Sequence, residues 1–93
     1  MRSIVQEDMS RCYVCGTTYN LHTHEIFFGS ANRKKSIQYG LQVRLCGEHH
    51  NLSSMGVHFN NDLNTKLKKE GQTKFEETYP NLNFKEIFGK NYL

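Results

Sequence analysis

Two short ligand-bearing pairs constrain this chain more than anything else in it: Cys12-x-x-Cys15 and, after thirty intervening residues, Cys46-x-x-His49. A pair spaced by two residues wraps a tight knuckle around one ion, and two such pairs clamp separate parts of the chain onto it. Three thiolates and one imidazole make a closed tetrahedral set for a structural zinc. A lone C-x-x-C also serves redox chemistry, but the matching C-x-x-H pair argues against that use. Gly16 follows the first pair and permits the left-handed turn that a knuckle needs. With 93 residues, 37% of them hydrophobic and no Trp, the core is thin, and a structural metal is a usual remedy at this size.

Three cysteines cannot all pair within one chain, which argues against a secreted disulfide framework. No charged-then-apolar leader opens the sequence, and no apolar run approaches the ~18 residues of a membrane span. A reduced, cytoplasmic setting without a membrane partner is the expectation. The net charge is +3, and between residues 29 and 50 Arg33, Lys34, Lys35 and Arg44 face only Glu48. The whole basic surplus therefore lies between the two ligand pairs, where the backbone of a nucleic acid can be held. A merely solvated basic loop fits the charge count equally well.

The chain reads as one domain of residues 1–93, with no repeat, linker or low-complexity stretch. Residues 1–11 form a polar, loosely held lead-in with a short apolar patch from Met1 to Val5. Residues 12–58 hold the knuckles, and residues 59–93 are expected to be mainly helical. Residues 21–28 are rich in β-branched and aromatic types and predict a strand, on which His22, His24 and Ile26 share one face while Glu25 and Phe27 point the other way. Residues 29–40 read as a loop with one helical turn, and residues 41–45 as a second strand running into Cys46. Residues 48–54 predict a short helix carrying His49 and His50 on its first turn, broken by Gly56-Val57-His58. Asn60 or Asn61 caps a helix over residues 62–78, with Phe59, Leu63, Leu67, Phe75 and Tyr79 as its apolar stripe. Gly71 weakens the middle of that helix, Pro80 ends it, and a last helix spans Phe84–Phe88 before Gly89.

His50 is left over once His49 completes the tetrahedron, and on a helix it points roughly 100° away from His49. His24 and His58 are its natural companions. Three imidazoles with open positions suit a catalytic divalent ion.

This constellation resembles the HNH, or ββα-metal, endonuclease family in its zinc-stabilised form. The matching pieces are CYVC at 12–15, HEIFFG at 24–29, LC at 45–46 and CGEHH at 46–50. More narrowly, HEIFFGSANRKKS through YGLQVRLCGEHH to GVHFN looks like small HNH-type proteins encoded by bacterial phages. The resemblance covers roughly residues 12–60. It implies an α+β, treble-clef-like ββα-metal fold with C-terminal helices, and a metal-dependent endonuclease hydrolysing DNA phosphodiester bonds in phage recombination, repair or packaging. Cys12, Cys15, Cys46 and His49 match the structural zinc ligands, His24 the strand ligand of the catalytic metal and His50 the helix ligand, with His58 as a third. Mg²⁺, Mn²⁺, Ni²⁺ or Zn²⁺ would fill that second site.

Two positions depart from the family pattern. Glu25 stands where the general-base histidine usually is, and Leu41 replaces the central asparagine five residues ahead of Cys46. Glu25 or the neighbouring His22 then serves as base, or the chain is a zinc-bearing DNA- or protein-binding module that kept the fold without the chemistry. Arg33, Lys34, Lys35 and Arg44 would position the DNA backbone, with weak sequence preference. A homodimer would make paired cuts easiest, though nothing in the sequence demands one.

Overall fold

The computed structural model describes residues 3–93; Met1 and Arg2 lie outside it, so only Ile4 and Val5 of the opening apolar patch are placed. The architecture is mixed α+β. Two antiparallel strands, β1 (Leu21–Glu25) and β2 (Gln42–Cys46), pair with Leu21 opposite Cys46 and Glu25 opposite Gln42. Between them runs α1 (Asn32–Gln38), a true helix where the sequence suggested a single turn. A wide π-type turn, Glu48–Leu52, follows β2, and then come α2 (Asn61–Thr78) and α3 (Phe84–Phe88). No helix among the described residues is long and apolar enough to cross a membrane.

β1 stops three residues earlier than its composition suggests, because the next residues are captured by the α1 connection. Ile26 N–H donates to Leu41 O at 3.0 Å. The Ser36 hydroxyl donates to Phe27 O at 2.7 Å and accepts from Phe27 N–H at 3.1 Å. Strand alternation ends there, so Ile26 and Phe27 are both fully buried instead of facing opposite ways. Leu41 is fully buried too, and the side chain that fastens this connection is Ser36.

The lead-in is tied down, contrary to its polar, loose appearance in the sequence. Ser3 Oγ donates to Gln42 O at 2.6 Å and Ile4 N–H to Gly40 O at 2.8 Å. The Gln6 side chain is buried; its Oε1 accepts from Arg44 N–H at 2.8 Å, and its Nε2 donates to the carbonyls of Asp8 and Arg11. These bonds cover the outer edge of β2, which would otherwise present unpaired backbone groups to a second chain.

α2 starts as its sequence predicts, with the Asn60 side chain accepting from Leu63 N–H at 3.1 Å, a cap worth ~1 kcal/mol. Leu67 and Phe75 are buried, but Phe59 is 67% exposed because it precedes the cap and lies off the helical stripe. Gly71 is buried, and a Cβ there would stand 3.1 Å from the Phe27 ring and 3.3 Å from Ile26 Cγ2. The glycine that weakens α2 locally is what lets it lie against the exit of β1. Phe27 then anchors an aromatic cluster, with ring centroids 5.0 Å from Phe84, 4.9 Å from Phe88 and 5.3 Å from Tyr92. Core and C-terminal helices thus grip the segment directly after His24 and Glu25.

Candidate metal centre

Cys12 and Cys15 lie on a turn closed by Gly16 N–H donating to Cys12 O at 2.9 Å, with Gly16 at φ 77°. Cys46 ends β2 and His49 sits on the π turn. The four donor atoms all lie within 4.8 Å of one another. A tetrahedron with metal–sulfur bonds of ~2.3 Å and metal–nitrogen bonds of ~2.0 Å has edges of about 3.5–3.8 Å. Three of the edges bracket that range: 3.7 Å for Cys15 Sγ to Cys46 Sγ, 3.9 Å for Cys12 Sγ to His49 Nδ1, and 3.2 Å for Cys46 Sγ to His49 Nδ1. This Cys3His cluster can hold a metal ion and is compatible with a structural zinc.

The thiols are set differently by their surroundings. Burial opposes the Cys12 thiolate, but the backbone amides of Cys15, Cys46 and Val14 outweigh it and bring its pKa down to about 6. Burial pushes the Cys46 thiol up, against the pull of the His49 amide. A metal would supply the charge that the buried Cys46 sulfur lacks.

The second cluster grows from the same turn. His49 and His50 are consecutive, and His50 turns away from the sulfurs toward β1. Behind it the chain doubles back: Val57 N–H donates to His49 O at 2.8 Å and His58 N–H to His50 O at 3.3 Å. Gly56 makes this possible, because a Cβ there would lie 2.7 Å from the His50 carbonyl oxygen. The stretch that reads as a helix breaker is what delivers His58. His24, His50 and His58 each have a ring nitrogen within 4.8 Å of the others, and His50 Nε2 is 3.2 Å from His58 Nε2.

His24 is 3% exposed, and its Nε2 is buried without a hydrogen-bond partner among the described residues. A buried orphan nitrogen on a ring packed against two other imidazoles fits a metal ligand. Burial first, then the charges of His50, His58 and Lys68, push its pKa down to about 3. Burial and the charges of His58 and His22 also lower that of His50.

His24 has a consequence for acid stability. With zinc on the thiolate cluster and the histidine cleft free of metal, the unfolded chain takes up a proton there below about pH 6.5, while the folded chain resists it to about pH 3. Stability complete above pH 6.5 is therefore lost as pH falls through that window, by up to about 1.4 kcal/mol per unit from this group. Denaturant melts of the wild type and His24→Gln at pH 7 and pH 5 should show a steeper loss for the wild type. Equal slopes would contradict the assignment.

His22 and Glu25 take distinct places. His22 Nδ1 lies 2.9 Å from His50 Nδ1, and its Nε2 lies 3.3 Å from Asn20 Oδ1. His22 therefore backs His50 from behind. Glu25 instead lines a cleft of about 250 Å³ with His24, His50, His58, Phe28, Thr23 and Arg33. Its carboxylate lies 3.5 Å from Arg33 Nε and is largely covered, with 18% side-chain exposure. At the end of the strand, Glu25 escapes the opposite-face rule that the sequence imposed on it.

The basic residues divide as well. Arg33 is in the cleft, and Lys34 is exposed on α1. Lys35 instead donates to Ile87 O at 2.5 Å, fastening α1 to the last turn of α3. Arg44 sits in mid-β2 opposite Thr23 and does not line the cleft; its buried Nε has no hydrogen-bond partner among the described residues. The sequence did not single out Asn20, a positive-φ residue at 52°, and it offered Phe28 only as core or partner surface, whereas its ring lies 5.8 Å from His24 and 5.4 Å from His58.

Taken together, fold and site define a small α+β domain with two adjacent metal-type clusters on one turn. No family model, curated protein or solved structure matches the chain.

Proposed function

We propose that this protein is a metal-dependent DNA endonuclease of the HNH type, with a structural zinc on Cys12, Cys15, Cys46 and His49 and a catalytic divalent ion on His24, His50 and His58. The observation that carries the reading is the convergence of three imidazoles, one with a buried unpartnered nitrogen, beside a carboxylate in an open cleft. Three neutral imidazoles leave coordination positions free, as a catalytic site requires. An ion held there supplies a Lewis acid that polarises the scissile phosphate and stabilises the departing 3′ oxygen.

The chain supplies the rest. With His50 Nε2 directed at His58, its Nδ1 carries the hydrogen and donates to His22 Nδ1. His22 then carries its own hydrogen on Nε2 and donates to Asn20 Oδ1. That relay fixes the tautomer of a ligand, the usual work of an outer-shell partner. It also occupies both nitrogens of His22, leaving Glu25 as the better base. Glu25 takes a proton from water as the new P–O bond forms and the P–O3′ bond breaks, while Arg33 orients the carboxylate.

Nicking of supercoiled plasmid by zinc-loaded protein with added Mg²⁺, Mn²⁺ or Ni²⁺ tests this reading. Wild type should nick, and His50→Ala should be slower by about two orders of magnitude or more. Cleavage indifferent to His50 would sink the assignment. DNA binding with no cleavage under any metal would favour the zinc-bearing binding module.

A further inference from the structure

Lys68 is the half-buried cation of α2 and has no carboxylate within ion-pair distance among the described residues. Its Nζ lies over the Phe28 ring at 4.8 Å and over the Tyr92 ring at 5.3 Å. Lys90, from the tail after α3, places its Nζ 5.2 Å from the same Tyr92 ring and is likewise unpaired among those residues. By contrast, Lys66 and Lys74 on the same helix pair with Glu70 and Glu77. Two ammoniums have been brought together against aromatic faces with no counter-charge between them.

The location gives the pair its meaning. Phe28 separates Lys68 from the histidine cleft by one ring, since its other neighbours are His24 and His58. Lys68 is close enough for its charge to be felt at His24. Burial and the charge of Lys90 both work against the Lys68 ammonium, a cost that an anion would relieve. Ring faces favour cations, so the aromatic walls hold the two side chains in place without neutralising them.

We propose that Lys68 and Lys90 form a second phosphate-binding position, gripping a backbone phosphate of the DNA strand beyond Phe28 from the one in the histidine cleft. This rests on the cleft being a DNA site, but it concerns binding and needs no cleavage. The position extends the contact surface from α1 to α2 and the C-terminal tail, neither of which the charge pattern of residues 29–50 implicates. Each phosphate neutralised by a protein cation releases counterions, which makes its loss visible as a change in salt dependence.

The test is fluorescence anisotropy of a labelled DNA duplex with zinc-loaded full-length protein, no second divalent ion added, over a series of salt concentrations. Lys68→Gln/Lys90→Gln should bind about tenfold more weakly and reduce the slope of log K against log salt by about 0.9. Lys66→Gln/Lys74→Gln removes the same charge from paired positions and should change the slope far less. Equal effects of the two double variants would overturn the proposal. If Lys68→Gln fails to fold by circular dichroism, Lys90→Gln alone must still weaken binding more than Lys74→Gln, and no difference would overturn it. Binding that depends on Lys68 and Lys90, without plasmid nicking, would support this position while sinking the nuclease reading.

Discussion

Replacing Cys46 by Ser is expected to leave a chain that does not fold at ordinary temperatures. Cys46 is buried at the end of β2, with its sulfur 3.7 Å from Cys15 Sγ and 3.2 Å from His49 Nδ1. It therefore joins the sheet, the first knuckle and the π turn at one point. Structural zinc contributes an apparent ~10–16 kcal/mol in small metal-dependent domains, against net stabilities of ~5–15 kcal/mol. A hydroxyl that does not replace the thiolate forfeits much of that. Cys15 is exposed, so water can take the place of its sulfur, and Cys15→Ser should be the milder variant. Native mass spectrometry should find one zinc in the wild type, and far-UV circular dichroism should collapse when a strong chelator removes it. A spectrum unchanged after complete zinc removal would contradict the expectation.

Glu25→Gln should slow plasmid cleavage by about 10²–10⁴-fold with little loss of stability, because it removes proton transfer and keeps the side-chain volume. His22→Ala should behave differently. It deprives His50 of its backing partner, so metal affinity should fall about 10–100-fold and excess metal should restore most of the rate. Rates measured across a metal titration separate the two. A Glu25→Gln variant as fast as wild type, together with a His22→Ala variant that stays inactive at saturating metal, would exchange the assigned roles.

The contrast between these residues shows where the sequence ran out. The Cys3His cluster was legible because Cys and His at two-residue spacing specify local geometry that tertiary packing has only to accept. The three histidines were grouped only because His50 was left over and the run resembles a known family. Cys12, Cys15, Cys46 and His49 converge, and so do His24, His50 and His58. The helices also followed their signals, with Asn60 capping α2 and Asn83 capping α3. Phe27 was misjudged because strand alternation was extended past Glu25, to the point where Ser36 seizes Phe27 and buries it beside Ile26. Lys35 looked like a DNA contact, since sequence gives its charge but not the Ile87 carbonyl it binds. Lys68 was hidden within a helix whose charges balance on paper. Only folding shows which of them lack a partner.

The adjacency of His49 and His50 has a consequence for how the protein acquires its metals. Thiolate-rich and all-imidazole donor sets differ in softness, so a mixed supply of ions sorts itself between them. The Cys3His set shapes the turn on which His50 rides, and the three imidazoles converge only once that turn exists. Under the proposed function, loading is expected to be sequential, with the thiolate cluster filling first and the histidine cleft maturing behind it. If the proposed activity holds, a newly made chain would stay inactive until its zinc arrives, a built-in delay between synthesis and competence.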